Sequence, residues 1–104
     1  MAKMILQVNF KFSVSRAEFE QLASDIAKDF AALPGLQWKI WLMNEEEKEA
    51  GGIYLFKDEV SVKAYLEGPL AAQVMSHPAL SQMSAKVFGV IDDVTAITRG
   101  PVSK

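Results

Sequence analysis

"LQWKIWLM", residues 36–43, decides how this chain folds. It holds no Gly or Pro, and it is bounded by Pro34-Gly35 on one side and the charged run "NEEEKEA" on the other, so it reads as a β-strand. Side chains on a strand alternate between faces. Trp38, Ile40 and Leu42 therefore share one side, and Trp41 and Met43 share the other. Two Trp residues three positions apart must point in opposite directions. Each large apolar side chain removed from water contributes roughly 1.5–3 kcal/mol, so both sides of this strand need cover. Parity alone leaves open which Trp faces which neighbour.

Upstream, "MILQVNFKF" (4–12) alternates cleanly, with Leu6, Val8, Phe10 and Phe12 on one face, which predicts a first strand. Ser15 and Glu18 then form the reciprocal capping-box pattern at the start of a helix. Its apolar stripe runs through Phe19, Leu22, Ala23, Ile26 and Phe30, and Pro34-Gly35 stops it. Downstream, "NEEEKEA" is too charged to bury and predicts a solvated hairpin loop leading into a third strand, "GGIYLF". Asp58 caps a second helix carrying Val62, Tyr65 and Leu66. Gly68-Pro69 breaks it, and Pro69 suits the first turn of a short third helix. A fourth strand is expected near 83–91. The tail from Asp92 carries Val94, Ala96 and Ile97, which fit either a strand or a helical turn.

The order β-α-β-β-α-β predicts one α+β domain over residues 1–104, a ferredoxin-like antiparallel sheet with its helices on one face. Two helices cover only one side of such a sheet. The other side should be polar in a monomer, yet Ile53 and Leu55 oppose Tyr54 and Phe56, and Val87 opposes Phe88. A second copy packed about a two-fold axis covers it most simply. The expectation is a homodimer through the sheet face that the helices leave open.

Composition narrows the function. A net charge of −2 argues against a nucleic-acid surface. The absence of Cys removes thiol catalysis, disulfides and Cys-based metal sites. The apolar run at the start ends at Gln7 and Asn9, too short for a signal core or a membrane span, so a soluble cytoplasmic protein is expected. His77, the only His, excludes His-cluster metal sites. Beside Pro78 at a helix end it reads as structural or surface, with a single haem ligand or a pocket acid/base as the functional alternative. Gly51-Gly52 enters a strand without a following helix and Lys, so it is not a phosphate loop. It reads as a bulge or as a close approach of backbone to ligand. Trp38, Trp41, Tyr54, Phe56, Tyr65 and Phe88 read as core, or alternatively as the lining of a pocket for a flat ligand.

The segments "GLQWKIW", "EAGGIYLFKDEVSVKAYLE" and "AKVFGV" resemble the YdhR-like monooxygenases of the dimeric α/β-barrel superfamily. The resemblance is strongest over residues 35–67 and around 85–90. It implies a homodimer with two sheets face to face, and in each subunit a pocket between sheet and helices. It also implies cofactor-independent oxygenation of small aromatic compounds such as phenols or hydroquinones, with no metal. Similar quinone-forming enzymes carry an Asn and, four residues on, a Trp in the third strand. Gly52 and Phe56 stand there in this chain. Haem-degrading relatives use an Asn on the first strand, a Trp in the second helix and a His at its end, where this chain has Asn9, Tyr65 and His77. The candidate catalytic residues are therefore Asn9, Tyr54 and Tyr65, and the candidates for holding a small aromatic ligand are Trp38, Trp41, Phe56 and His77. A non-catalytic aromatic-binding module and a haem-binding member of the same superfamily are the alternatives.

Overall fold

The computed structural model describes residues 2–102. In chain order these form β1 (Met4–Phe12), α1 (Arg16–Ala31), β2 (Leu36–Asn44), β3 (Glu49–Phe56), α2 (Glu59–Leu66), α3 (Pro69–Met75), β4 (Leu80–Gly89) and α4 (Asp92–Ile97). The four strands make one antiparallel sheet in the order β2-β3-β1-β4. This is the ferredoxin-like arrangement that the element order predicts.

Local chemistry places the elements. The Ser15 side chain accepts a hydrogen bond from the Glu18 amide while the Glu18 carboxylate accepts from the Ser15 amide, so two otherwise orphaned donors at the start of α1 are satisfied. The Asp58 carboxylate does the same for Ser61 at the start of α2. Gly35, at φ 82, turns the chain from α1 into β2. A side chain there would be strained in the backbone and would strike Ser61.

Three expected boundaries shift. β3 starts at Glu49 rather than Gly51, because Glu49 and Ala50 already pair with Lys11 and Phe10. β4 starts at Leu80, which pairs with Phe12 beyond a register shift between Asn9 and Lys11, with Gln82 in the left-handed region at φ 52. The tail resolves as the helical turn α4.

Residues paired across the ladder share a face, so the register sorts the whole sheet. Leu6, Val8, Phe10 and Phe12 point to the helices with Ala50, Tyr54 and Phe56, and all are buried against Phe19, Phe30, Val62, Tyr65 and Ala71. In β2 a register irregularity between Leu36 and Trp38 leaves Gln37 unpaired. Leu36 faces the helices on one side of it. Beyond it Lys39, Trp41 and Met43 face the helices, and Trp38, Ile40 and Leu42 face away. Trp41 is therefore the helix-side Trp and Trp38 belongs to the open face.

That open face carries a cluster of large apolar side chains over β2 and β3, beside the polar Gln7 and Asn9 of β1. Ile40 is 51% exposed and Phe88 44%. Leu55, also on this side, is fully buried. The chain leaves β4 at one edge of the sheet, and at the opposite edge the Trp38 indole Nε1–H donates to the Pro101 carbonyl at 2.8 Å. Ile91, Val94 and Ile97 along this tail remain exposed.

Replacing the α1 cap, Ser15→Ala, should lower stability by about 1 kcal/mol. Gly35→Ala should cost more, because a left-handed backbone alone penalises an L-residue by about 1–2 kcal/mol and the crowding of Ser61 adds to it. Urea denaturation of the two variants checks the order.

Candidate active site

A cavity of about 220 Å³ opens between the sheet and helices α1 and α3. The inward face of β1 contributes Phe10, β2 contributes Lys39 and Trp41, and β3 contributes Tyr54. Helix α1 supplies Phe19, Ile26 and Phe30 from its apolar stripe, and His77 closes the end beyond α3 with Val74 and Gln73. A cavity of about 150 Å³ holds a benzene ring; this one has room for a ring with substituents.

Of the sequence candidates, Tyr54, Trp41 and His77 line the cavity. Tyr65 and Phe56 stand behind Tyr54. The Phe56 ring stacks on Tyr54 at 6.0 Å and 10°, and the Tyr65 ring lies 5.5 Å from Tyr54. Asn9 and Trp38 do not join them. Asn9 has the opposite parity to Val8 and Phe10, pairs with Gly51 and Ser84, and accepts a hydrogen bond from Gln7 Nε2 at 3.1 Å on the open face. Within one protomer Asn9 and Tyr54 are on opposite sides of the sheet.

The polar groups in and behind the cavity have distinct capacities. The Tyr54 and Tyr65 hydroxyls lie 3.4 Å apart, long for a hydroxyl pair. Burial raises both phenols above their ordinary range; for Tyr54 the neighbouring Tyr65 adds to the rise, while for Tyr65 the contact with Tyr54 partly opposes it. Both are neutral hydroxyls at pH 7, able to donate or accept a hydrogen bond but not to serve as bases. His77 Nδ1 accepts from the Ala79 amide at 3.1 Å. That bond assigns the proton of the neutral ring to Nε2.

Lys39 is the residue that the sequence reading missed. Its amine sits 3.4 Å from the Phe30 ring centre, 3.5 Å from Trp41 and 4.6 Å from Tyr54. It has no hydrogen-bond or ion-pair partner among the described residues. Desolvation lowers its pKa from 10.5 to about 7, while the ring faces favour the charged form. Gly52 makes this position possible: a Cβ there would stand 2.9 Å from Lys39 Cε and 3.3 Å from Tyr54 Cε1. The glycine pair thus creates no bulge, since β1 and β3 pair without interruption through Gly51 and Gly52. The signal for Lys39 was present, as its parity matches Trp41 and Met43. Among the described residues no group of three or more His, Asp or Glu is placed to hold a metal ion.

The low pKa has a thermodynamic consequence. Between about 7 and 10.5 the unfolded chain binds more protons at Lys39 than the folded one, so stability rises with pH across that window. The full shift corresponds to on the order of 5 kcal/mol, less about 0.5–2 kcal/mol returned by the rings and a further part by solvent reaching the half-buried side chain. Lys39→Met should therefore be more stable than the wild type at pH 7 and below, with the gap closing as pH approaches 10.5. Urea denaturation at several pH values checks this; a gap independent of pH would contradict it.

The family model described as "Putative mono-oxygenase ydhR" matches residues 5–101. No curated protein matches the chain. Among solved structures, a protein of unknown function from Nitrosomonas europaea is 21% identical, with a TM-score of 0.73 over 88% of this chain and 91% of that one. SnoaB, a cofactor-independent oxygenase from Streptomyces nogalater, is 21% identical, with a TM-score of 0.71 over 86% and 94%. The heme-degrader MhuD from Mycobacterium tuberculosis, with two hemes bound in its active site, is 19% identical, with a TM-score of 0.66 over 86% and 97%. At these identities the structural likenesses establish the fold. The family match spans nearly the whole chain, sheet and cavity included, and the chain belongs to the ydhR family so described.

Proposed function

We propose that this protein is a cofactor-independent monooxygenase of a small hydroxyaromatic compound, a phenol or hydroquinone, held in the cavity between the sheet and α1. The observation that carries this is the cavity itself, an aromatic-walled space sized for a substituted ring in a chain of monooxygenase family. Its volume favours such a ring over a porphyrin, so the haem reading through His77 takes second place. With no resident redox group invoked, the substrate supplies the electrons. A phenol and one O2 give a quinone and one water: one oxygen atom enters the ring, and the other leaves with two hydrogens and two electrons from the substrate. In this reading the cavity walls shield the reactive anion from water and the Tyr54 hydroxyl donates a hydrogen bond to a substrate oxygen, which the place of Tyr54 in the cavity lining supports.

We also read the active form as a homodimer through the open face. Ile40 and Phe88 are exposed there, and large apolar side chains on both sides of the sheet leave burial unused in a lone chain. Trp41 points to the helices and takes no part in this face, whereas Trp38 does. No helix among the described residues is long and apolar enough to cross a membrane; we propose that the dimer works in the cytoplasm.

Oxygen uptake with a panel of phenols and hydroquinones tests the chemistry. Activity should survive chelators and need no added flavin. Tyr54→Phe should lower turnover by a factor corresponding to about 2.7–4 kcal/mol if its hydroxyl contacts the developing anion. No uptake with any compound that binds would leave a binding module instead. For the assembly, sedimentation should give twice the 11.5 kDa chain mass, and Ile40→Lys should give a monomer. A wild-type monomer at micromolar concentration would reject the dimer.

A further inference from the structure

We propose that the Lys39 amine is the proton acceptor and anion partner of the cavity: it takes the proton of an acidic phenol or enol bound there and holds the resulting oxyanion as an ion pair. The inference deepens the reading of the cavity as a hydroxyaromatic site and rests on it. In the step, the substrate O–H bond breaks, its proton forms a bond to Nζ, and the electron pair stays on the substrate oxygen. Neutral amine and neutral phenol become ammonium and phenolate.

Elimination and geometry both lead to this lysine. The titratable groups facing the cavity are Asp25 from α1, Lys39 from β2, Tyr54 from β3 and His77 after α3, with Tyr65 of α2 behind Tyr54. The Asp25 carboxylate is exposed and accepts from Gln21 Nε2 at 2.8 Å. The two tyrosines are held in their neutral form. The basic nitrogen of His77 is committed to the Ala79 amide, which leaves a donor at Nε2. Among the described residues facing the cavity, Lys39 alone offers a lone pair without a partner.

Its surroundings suit the exchange. Desolvation keeps the empty site's amine partly neutral at pH 7, so it is free to accept a proton. Once protonated, the ammonium lies over the faces of Phe30 and Trp41 and against the new anion. Gly52 is the structural condition, since any side chain there would press on Lys39 Cε. An amine so depressed is a weak base, which selects for hydroxyaromatics whose ionised form is already accessible near neutrality, such as rings conjugated to a carbonyl or nitro group.

4-Nitrophenol reports the step directly, because the phenolate absorbs visible light and the phenol does not. Titrated into the intact protein at a pH where the free probe is mostly phenol, it should show the phenolate band, with its apparent pKa lowered by about one unit or more on binding. Lys39→Met should bind the phenol form with no such lowering. Lys39→Arg, permanently charged and unable to take the proton, should restore the phenolate band but release the proton to the buffer, where the wild-type amine retains it. Gly52→Ala should weaken the band by displacing the amine. A band equally strong in Lys39→Met overturns the assignment. Calorimetry separates the two layers of the argument: bound nitrophenol without a Lys39-dependent band rejects the lysine's role alone, whereas no binding of any phenol rejects the hydroxyaromatic cavity as well.

Discussion

A primary amine pressed against aromatic rings is the interaction around which the helix side of this protein is arranged. Lys39 reaches Phe30 and Trp41 at about van der Waals distance, and Phe30 in turn lies 5.4 Å from Trp41, edge to face, and 5.9 Å from Tyr54. Those contacts need three separate conditions. α1 must present Phe30, β2 must turn Lys39 inward, and β3 must leave an empty place at Gly52. Each depends on a local feature some distance away: the Ser15 cap, the unpaired Gln37, and the unbroken register with β1.

Such an arrangement costs stability. A purely structural core would fill this space with Leu or Met and gain from doing so. Buried ionisable groups with shifted pKa values concentrate at functional sites for that reason. The space above Gly52 that another side chain would occupy is entered by Lys39 from the neighbouring strand. Lys39 thereby joins Tyr54 as a polar residue on the sheet wall of the cavity.

Much of the fold was legible in residue pattern. The alternation of Leu6, Val8, Phe10 and Phe12, the Ser15–Glu18 box, the Asp58 cap and the Pro69 start are local signals that tertiary packing left intact. The apolar character of both sheet faces was also readable, because parity needs no partner strand. Assigning the two faces of β2 was not possible from parity, since nothing in Trp38 or Trp41 names its side. That depends on register against β3 and on one unpaired residue at Gln37. The cavity was half legible: aromatic residues pointed to it, but Asn9 fell on the far side and Lys39 went unremarked among charged residues that are ordinarily solvated. A lysine on an apolar face is read as an edge residue until the neighbouring glycine is known to stand beside it.

The indole of Trp38 donates to the tail carbonyl of Pro101, and that of Trp41 lies under the Lys39 amine. The protein therefore carries two fluorophores that report on different faces of one sheet. Emission from Trp38 depends on the seating of the tail and on whatever covers the open side. Emission from Trp41 depends on whether the amine above it bears a proton, since an ammonium group can quench an excited indole and a neutral amine does so less. Two chains, each with one Trp replaced by Phe, would separate assembly from events in the cavity without any attached dye.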